Sequence, residues 1–297
     1  MQKLLIVGCG DVARRTLPHL LGHYRIYALL RDPAQCAVWR TEGVRPILAD
    51  LDCAVSLKRI RGLADVVLHF APPPERGTED TRMHKLIAAL LQGKSLPQRL
   101  IYISTSGVYG NCAGERIDET RSLRPATARA KRRVDAERQL RRFGARHGVC
   151  VSILRAPGIY ASDRLPIERL KKGVNALCAE DDVYTNHIHA DDLARLTCAA
   201  LRRGRANRCY NASDDSEMKM GEYFDLVADR FGLPRAPRIT RKEAQTSMSP
   251  VQLSFMSESR RLDNRRIKQE LRARLNYPHV ADGINAARNA AWQEGKH

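Results

Sequence analysis

Aromatic side chains are scarce in this chain of 297 residues, at 5% of the total, and 33 acidic residues face 51 lysines and arginines. The first shortage argues against a single-strand nucleic-acid surface, which stacks bases on rings set among cations. No two of the eight cysteines form a CxxC pair, so neither a zinc site nor a disulfide framework is indicated, and no metal is expected. Several of them stand in apolar runs, where a small buried thiol is ordinary. No apolar run approaches the ~18 residues of a membrane span, and Met1-Gln2-Lys3 leads into a stretch too short for a secretory leader. A cytoplasmic location without membrane contact is the expectation. Internal repeats and low-complexity tracts are also missing.

The shortage of acid leaves a net charge of +18, which asks for an anionic partner or a basic-biased proteome. Arg121 to Arg146 holds ten basic residues against Asp135 and Glu137, and Arg260 to Arg274 holds seven against Asp263 and Glu270. In the first stretch Ala130, Val134, Leu140 and Phe143 recur near helical spacing, so its arginines form the outer faces of an amphipathic helix. An anionic small-molecule substrate fits this balance better than nucleic acid. An RNA-associated protein stays open as the lesser alternative.

What the chain has is a glycine turn near its start. The apolar run Leu4 to Val7 enters Gly8-Cys9-Gly10-Asp11-Val12-Ala13, and an amphipathic stretch follows. Strand, glycine turn and helix together make a dinucleotide site. Gly8 permits the tight turn, Gly10 lets backbone approach a pyrophosphate, and Ala13 allows close helix-to-strand packing. The first helical amides, at Asp11 and Val12, attract phosphate. The second strand, Ile26 to Leu30, delivers Arg31 where an NAD site carries an acidic residue. A guanidinium there suits a 2′-phosphate, with Arg14 and Arg15 adding positive potential, so NADP is expected rather than NAD.

Further strand-like runs at 44–48, 65–70, 99–104 and 149–154 are mostly separated by helix-sized segments. That alternation predicts an α/β fold: a doubly wound parallel Rossmann sheet with helices on both faces. Ligand then lies over the carboxyl ends of the strands, where Gly8, Arg31, Asp50, Ala71 and Ser104 fall. Past Pro157 the pattern loosens into a mainly helical tail. The expected division is a dinucleotide-binding domain of 1–160 and 186–212, with a small C-terminal substrate domain of 161–185 and 213–297.

The ordered segments of this chain resemble the extended short-chain dehydrogenases/reductases, which include sugar-nucleotide epimerases and dehydratases. Ala49-Asp50-Leu51-Asp52 is similar to that family's adenine contact, and His69-Phe70-Ala71-Pro72 to the strand end beside the cofactor ribose. Ser104-Thr105-Ser106-Gly107-Val108-Tyr109-Gly110 resembles the catalytic serine/threonine segment. Arg155-Ala156-Pro157-Gly158-Ile159-Tyr160 resembles the sixth-strand exit, Asn186 to Ala194 the return to the sheet, and Tyr210-Asn211-Ala212-Ser213 the last strand. The resemblance implies nicotinamide-dependent chemistry, with Thr105 facing the nicotinamide and Ser104 and Pro157 beside the cofactor.

The family's chemistry rests on a Tyr-x-x-x-Lys pair, and here the match is broken. Four residues before Lys131 stands Thr127, whose hydroxyl is a far weaker acid than a phenol of pKa ~10. Lys131 is left to hold the nicotinamide ribose, and Tyr109 is the nearest phenol able to substitute. The 4,6-dehydratases place Asp-Glu after the catalytic threonine, whereas Ser106-Gly107 follows Thr105, which argues against that dehydration. Pro157-Gly158 precedes Tyr160 where epimerases commonly carry an asparagine, which argues against a standard UDP-sugar site. His187 and His189 lack a third ligand nearby, and Asp191 and Asp192 suit a helix N-terminus.

The expected activity is therefore an NAD(P)-dependent oxidoreductase on a small or nucleotide-linked carbonyl or alcohol, working as a monomer or weak homodimer. The alternative is an NADP-binding sensor without turnover.

Overall fold

The computed structural model describes residues 1–294. Seven parallel strands form the central sheet: β1 (Gln2–Val7), β2 (Tyr24–Leu30), β3 (Arg45–Leu48), β4 (Val66–His69), β5 (Arg99–Thr105), β6 (Cys150–Ala156) and β7 (Arg208–Asn211). Their order is β3-β2-β1-β4-β5-β6-β7, every neighbouring pair parallel. The chain leaves β1 in one direction for β2 and returns on its other side as β4. This switch point opens a crevice at the carboxyl edge.

Alternation along β1 supplies both faces of the sheet. Leu4 and Ile6 enter one apolar cluster with Leu17, Leu193 and Leu196, while Leu5 and Val7 enter another with Met83, Leu86, Ala136 and Leu140. Helices α1 (Asp11–Leu20) and α5 (Ala190–Arg203) therefore cover one face, and α3 (Thr81–Leu91) and α4 (Ala128–His147) the other; α2 (Gln35–Thr41) connects β2 to β3. Strands buried on both sides carry near-continuous apolar runs, which is why the sequence shows them.

A third cluster joins Tyr160, Leu170, Ala176 and Leu177 to Tyr223, Phe224 and Val227 of α6 (Met220–Phe231) and to Val280 and Ile284 of α7 (Val280–Glu294). It stands beside the carboxyl edge and is tied there by the parallel pairing of 158–160 with 187–189. The tail is less separate than its sequence pattern suggests. Arg261-Leu262 pairs with Arg116-Ile117, and Ile267 and Leu271 pack into the cluster under β1. Within the segment 213–297, residues 261–271 thus support the sheet, and 295–297 lie outside the described residues. No helix among the described residues is long and apolar enough to cross a membrane.

Candidate functional site

The glycine turn is set by backbone constraints. Gly8 holds φ +93°, and a Cβ there would overlap the backbone N and Cα of Ala71. The two loops are joined because the Val7 carbonyl accepts from both Phe70 N (2.7 Å) and Ala71 N (3.0 Å). Gly10, by contrast, faces open space and caps α1 without a side-chain hydrogen bond, so the first amides of the helix have no side-chain cap. Ala13 is fully buried, and Val12 packs against the core. A cradle that excludes even a methyl on one side and is open on the other fits a dinucleotide pyrophosphate.

Around this cradle lie the other strand ends. Arg31 follows β2, is exposed, and its side chain makes no hydrogen bond or ion pair among the described residues. Arg14 and Arg15 are committed elsewhere: Arg14 to Gln35 (3.2 Å) and the face of Trp39, Arg15 to Asp11 (2.7 Å) and Asp191 (2.5 Å). Asp11 also pairs with Arg164. Partial burial would raise its pKa, but bonds and charges from Arg15 and Arg164 outweigh this and hold it below the usual carboxylate value. Asp50 accepts from Asp52 N at 2.9 Å, Leu51 is buried, and Arg82 forks onto Asp52 while donating to the Pro72 carbonyl at 3.2 Å.

A cavity of about 560 Å³ opens between the carboxyl edge and the third cluster. Thr105, Thr127 and Pro157 line it, together with Tyr184, His187 and Tyr223. Thr105 Oγ1 accepts from Gly107 N at 3.3 Å, which leaves its one proton to donate. Five arginines, Arg129, Arg133, Arg164, Arg169 and Arg260, share the lining with the acids Glu168 and Glu258 alone. The walls are therefore electropositive, as an anionic ligand requires.

Three expected residues fall elsewhere. Lys131 is exposed and does not reach the lining. The cause is helix phase: Thr127 is the N-cap of α4, its Oγ1 accepting from Ala130 N at 3.1 Å, and the helix begins only at Ala128. Arg129 and Arg133, four apart and so on one helical face, line the cavity with Thr105 in place of Lys131. Arg133 donates to Tyr102 Oη (2.9 Å) and the Ile103 carbonyl (2.8 Å). Sequence reasoning missed this pair, although Glu137, four residues further on and buried, was an available phase marker.

Tyr109 is 1% exposed and lies off the cavity. Its hydroxyl donates to Asn211 Oδ1 (2.7 Å) and accepts from Arg155 Nη1 (2.8 Å), and burial pushes its pKa far above the usual phenol value. Ser104 is likewise turned inward, donating to Glu137 Oε1 at 2.7 Å, because successive strand residues face opposite sides and Thr105 takes the cavity. Glu137 in turn binds Arg155 through both oxygens (3.1 and 2.7 Å). These residues brace the ends of β5, β6 and β7 beneath the site.

His187 and His69 are buried and neutral, burial holding each imidazole down at about 3. Among the described residues no three metal-ligating side chains converge. His189 caps α5 through Nδ1, which accepts from Asp191 N at 3.2 Å, and Asp192 accepts from Asn276 N and Tyr277 N.

Known proteins match this arrangement over its whole extent. Full-length structural similarity reaches a functionally unknown conserved protein from Silicibacter pomeroyi (27% identity, TM-score 0.79, covering 98% of this chain and 99% of that one). A UDP-glucose 4-epimerase from Thermotoga maritima, solved with UDP-glucose, superposes over 100% of both chains at 17% identity and TM-score 0.79, which shows a common fold. The dTDP-D-glucose 4,6-dehydratase of Homo sapiens is 24% identical over 175 residues, 52% of this chain and 49% of that protein. The chain thus spans about half the length of the curated relatives it matches. The model of the NAD-dependent epimerase/dehydratase family matches residues 4–213, from β1 through β7. With the glycine cradle, the switch point and the strand-end threonine in that span, the chain belongs to the NAD-dependent epimerase/dehydratase family.

Proposed function

We propose that this protein is an NADP-preferring oxidoreductase acting on a small or nucleotide-linked carbonyl or alcohol that bears negative charge. The observation that carries the reading is the meeting of Thr105 with an arginine-lined cavity beside the glycine cradle. Gly8, Gly10 and the amides of Asp11, Val12 and Ala13 would hold the cofactor's phosphates, and Arg31 its 2′-phosphate. Asp50 and Leu51 would flank the adenine, and Phe70, Ala71 and Pro72 the ribose. A bound nicotinamide supplies hydride exchange.

The chain's own part begins at Thr105, whose free proton can bond a substrate oxygen and stabilise charge building there. Arg129 and Arg133 only donate; a guanidinium does not release its proton, so they hold an anion and cannot serve as the acid. Phenols that reach the cavity are Tyr160, Tyr184 and Tyr223, and neither the Tyr160 nor the Tyr223 hydroxyl makes a hydrogen bond among the described residues. The same two arginines favour a second reading, a sensor that holds NADP without turnover, because the helix offers no tyrosine–lysine proton relay. We read the protein as cytoplasmic, and as a monomer or a salt-sensitive dimer, since the outer face of α4 is dense with arginine.

Calorimetry with NADPH and NADH, followed by turnover of anionic carbonyl compounds, tests the proposal. Thr105→Ala should lower turnover about 100-fold or more while leaving NADPH affinity intact. Unchanged turnover would remove Thr105 from the chemistry, and tight NADPH binding without turnover of any carbonyl tested would establish the sensor reading.

A further inference from the structure

A second basic concavity runs along α5 toward the opposite edge of the sheet. Helix α1 leaves the glycine turn and runs ten residues, about 15 Å, so that His19 in its last turn arrives near Gln2 and Tyr24, the first residues of β1 and β2. There a hollow of about 250 Å³ opens between α5 and residues 272–275, and a neighbouring one of about 300 Å³ shares His19, Cys198 and Arg202 with it. Arg195, Arg202, Arg203, Arg272 and Arg274 line the first hollow.

Most arginines near the main site have acidic or carbonyl partners; of these five, only Arg203 has one among the described residues. Arg203 gives one N–H to the Leu271 carbonyl (3.1 Å), and the side chains of the other four make no hydrogen bond or ion pair with any described residue. The acid in the hollow, Asp192, is fully buried and already accepts from Asn276 N (2.8 Å) and Tyr277 N (2.9 Å). Arg272 is held at φ +51°, a backbone conformation disfavoured for any residue with a Cβ. Five cations brought together on one concave wall, with the buried Asp192 as the one acid lining it, make a positive potential that suits an external anion.

We propose that this hollow is a second anion site, independent of the catalytic cavity, and that it takes a run of closely spaced phosphates. Guanidinium forks match phosphate oxygens in pairs. Tyr24 is the aromatic residue at its border, so bases have little to stack on and recognition stops at the phosphates. Inorganic tripolyphosphate and the backbone of an RNA strand present that same chemistry.

Titration of the full chain with tripolyphosphate by calorimetry, and with a labelled single-stranded RNA by anisotropy, separates the two sources. Binding of either supports the site and identifies which source it accepts. For RNA, four free arginines predict a log affinity that falls with log salt at a slope of about −3. Arg202→Ala with Arg274→Ala should weaken binding at least about 10-fold and cut that slope by about half. The corresponding double lysine variant should keep the slope. All four positions of the free set are exposed, so circular dichroism of each variant should match the parent. Failure of both ligands to bind would overturn the proposal. So would binding that survives the double alanine variant but is lost in Arg169→Ala, which would move the anion to the main cavity.

Discussion

Glu137 offers the sharpest test of how the site is held together. Its carboxylate takes two bonds from Arg155 and one from Ser104, and Arg155 is only 3% exposed. Glu137→Ala leaves a buried guanidinium without its counter-charge, a loss of about 3–5 kcal/mol. The Ser104 hydroxyl loses its acceptor as well, adding about 1 kcal/mol. A total of about 4–6 kcal/mol approaches the whole stability of many domains. Urea unfolding followed by far-ultraviolet dichroism should therefore show the midpoint falling sharply, with the parent slope retained if the transition stays two-state. Glu137→Gln keeps an acceptor for both partners but not the charge, and should lose about half as much. Replacing both partners, with Glu137→Leu and Arg155→Met, should recover most of the loss, since apolar groups of similar volume need no counter-charge. A Glu137→Ala loss below about 1.5 kcal/mol would mean that water reaches the pair and that it does not brace β5 against β6.

Cofactor choice should turn on Arg31. Arg31→Asp should weaken NADPH by about 1.5–3 kcal/mol, the range for a hydrogen bond to a charged group, and bring NADH level or ahead; equal affinities in the parent protein would refute the 2′-phosphate assignment. At the start of α4, Thr127→Val should cost about 1 kcal/mol through the lost cap, whereas Lys131→Ala should be near neutral in the same denaturation assay. An equal cost at both positions would contradict the helix phase. Stability should also vary with pH on both sides of neutrality. His69 and His187 have ordinary values of 6.5 and folded values of about 3, so the stability of keeping them neutral is complete above pH 6.5 and is lost as pH falls. Burial raises Asp214 from 3.8 to about 8, so its contribution is complete below 3.8 and lost as pH rises through 8. Melting temperatures across pH should show both slopes, each up to about 1.4 kcal/mol per pH unit and group, and Asp214→Asn should flatten the alkaline one.

The sheet and its ligand edge were legible because their signals are local. The apolar runs at 26–30, 99–104 and 149–154 are strands within two residues of where the sequence puts them, and Gly8, Arg31 and Thr105 stand at strand ends as read. What could not be read depends on groups far apart in the chain. Tyr109 is claimed by Asn211, 102 residues away, and Ser104 by Glu137, 33 away, and neither partner is announced by spacing. The phase of α4 was misjudged by two residues, because a familiar lysine at 131 suggested a register that the Thr127 cap and the buried Glu137 overrule. Arg129 and Arg133 look like solvated charge in sequence. Only the lid brought over them by 158–160 and α6 makes them part of a cavity.

The Gly8–Ala71 contact divides the cofactor crevice into parts of unequal evolvability. Because the Val7 carbonyl holds the 70–71 backbone and Gly8 has no room for a methyl, the turn after β1 and the exit of β4 can change only together. A lineage drifting one substitution at a time is locked at this hinge of the crevice. At its rim, Arg31 is exposed and makes no hydrogen bond or ion pair among the described residues, so a substitution there breaks no such contact. Cofactor preference is thus the trait most open to redesign here, and dinucleotide binding itself the least.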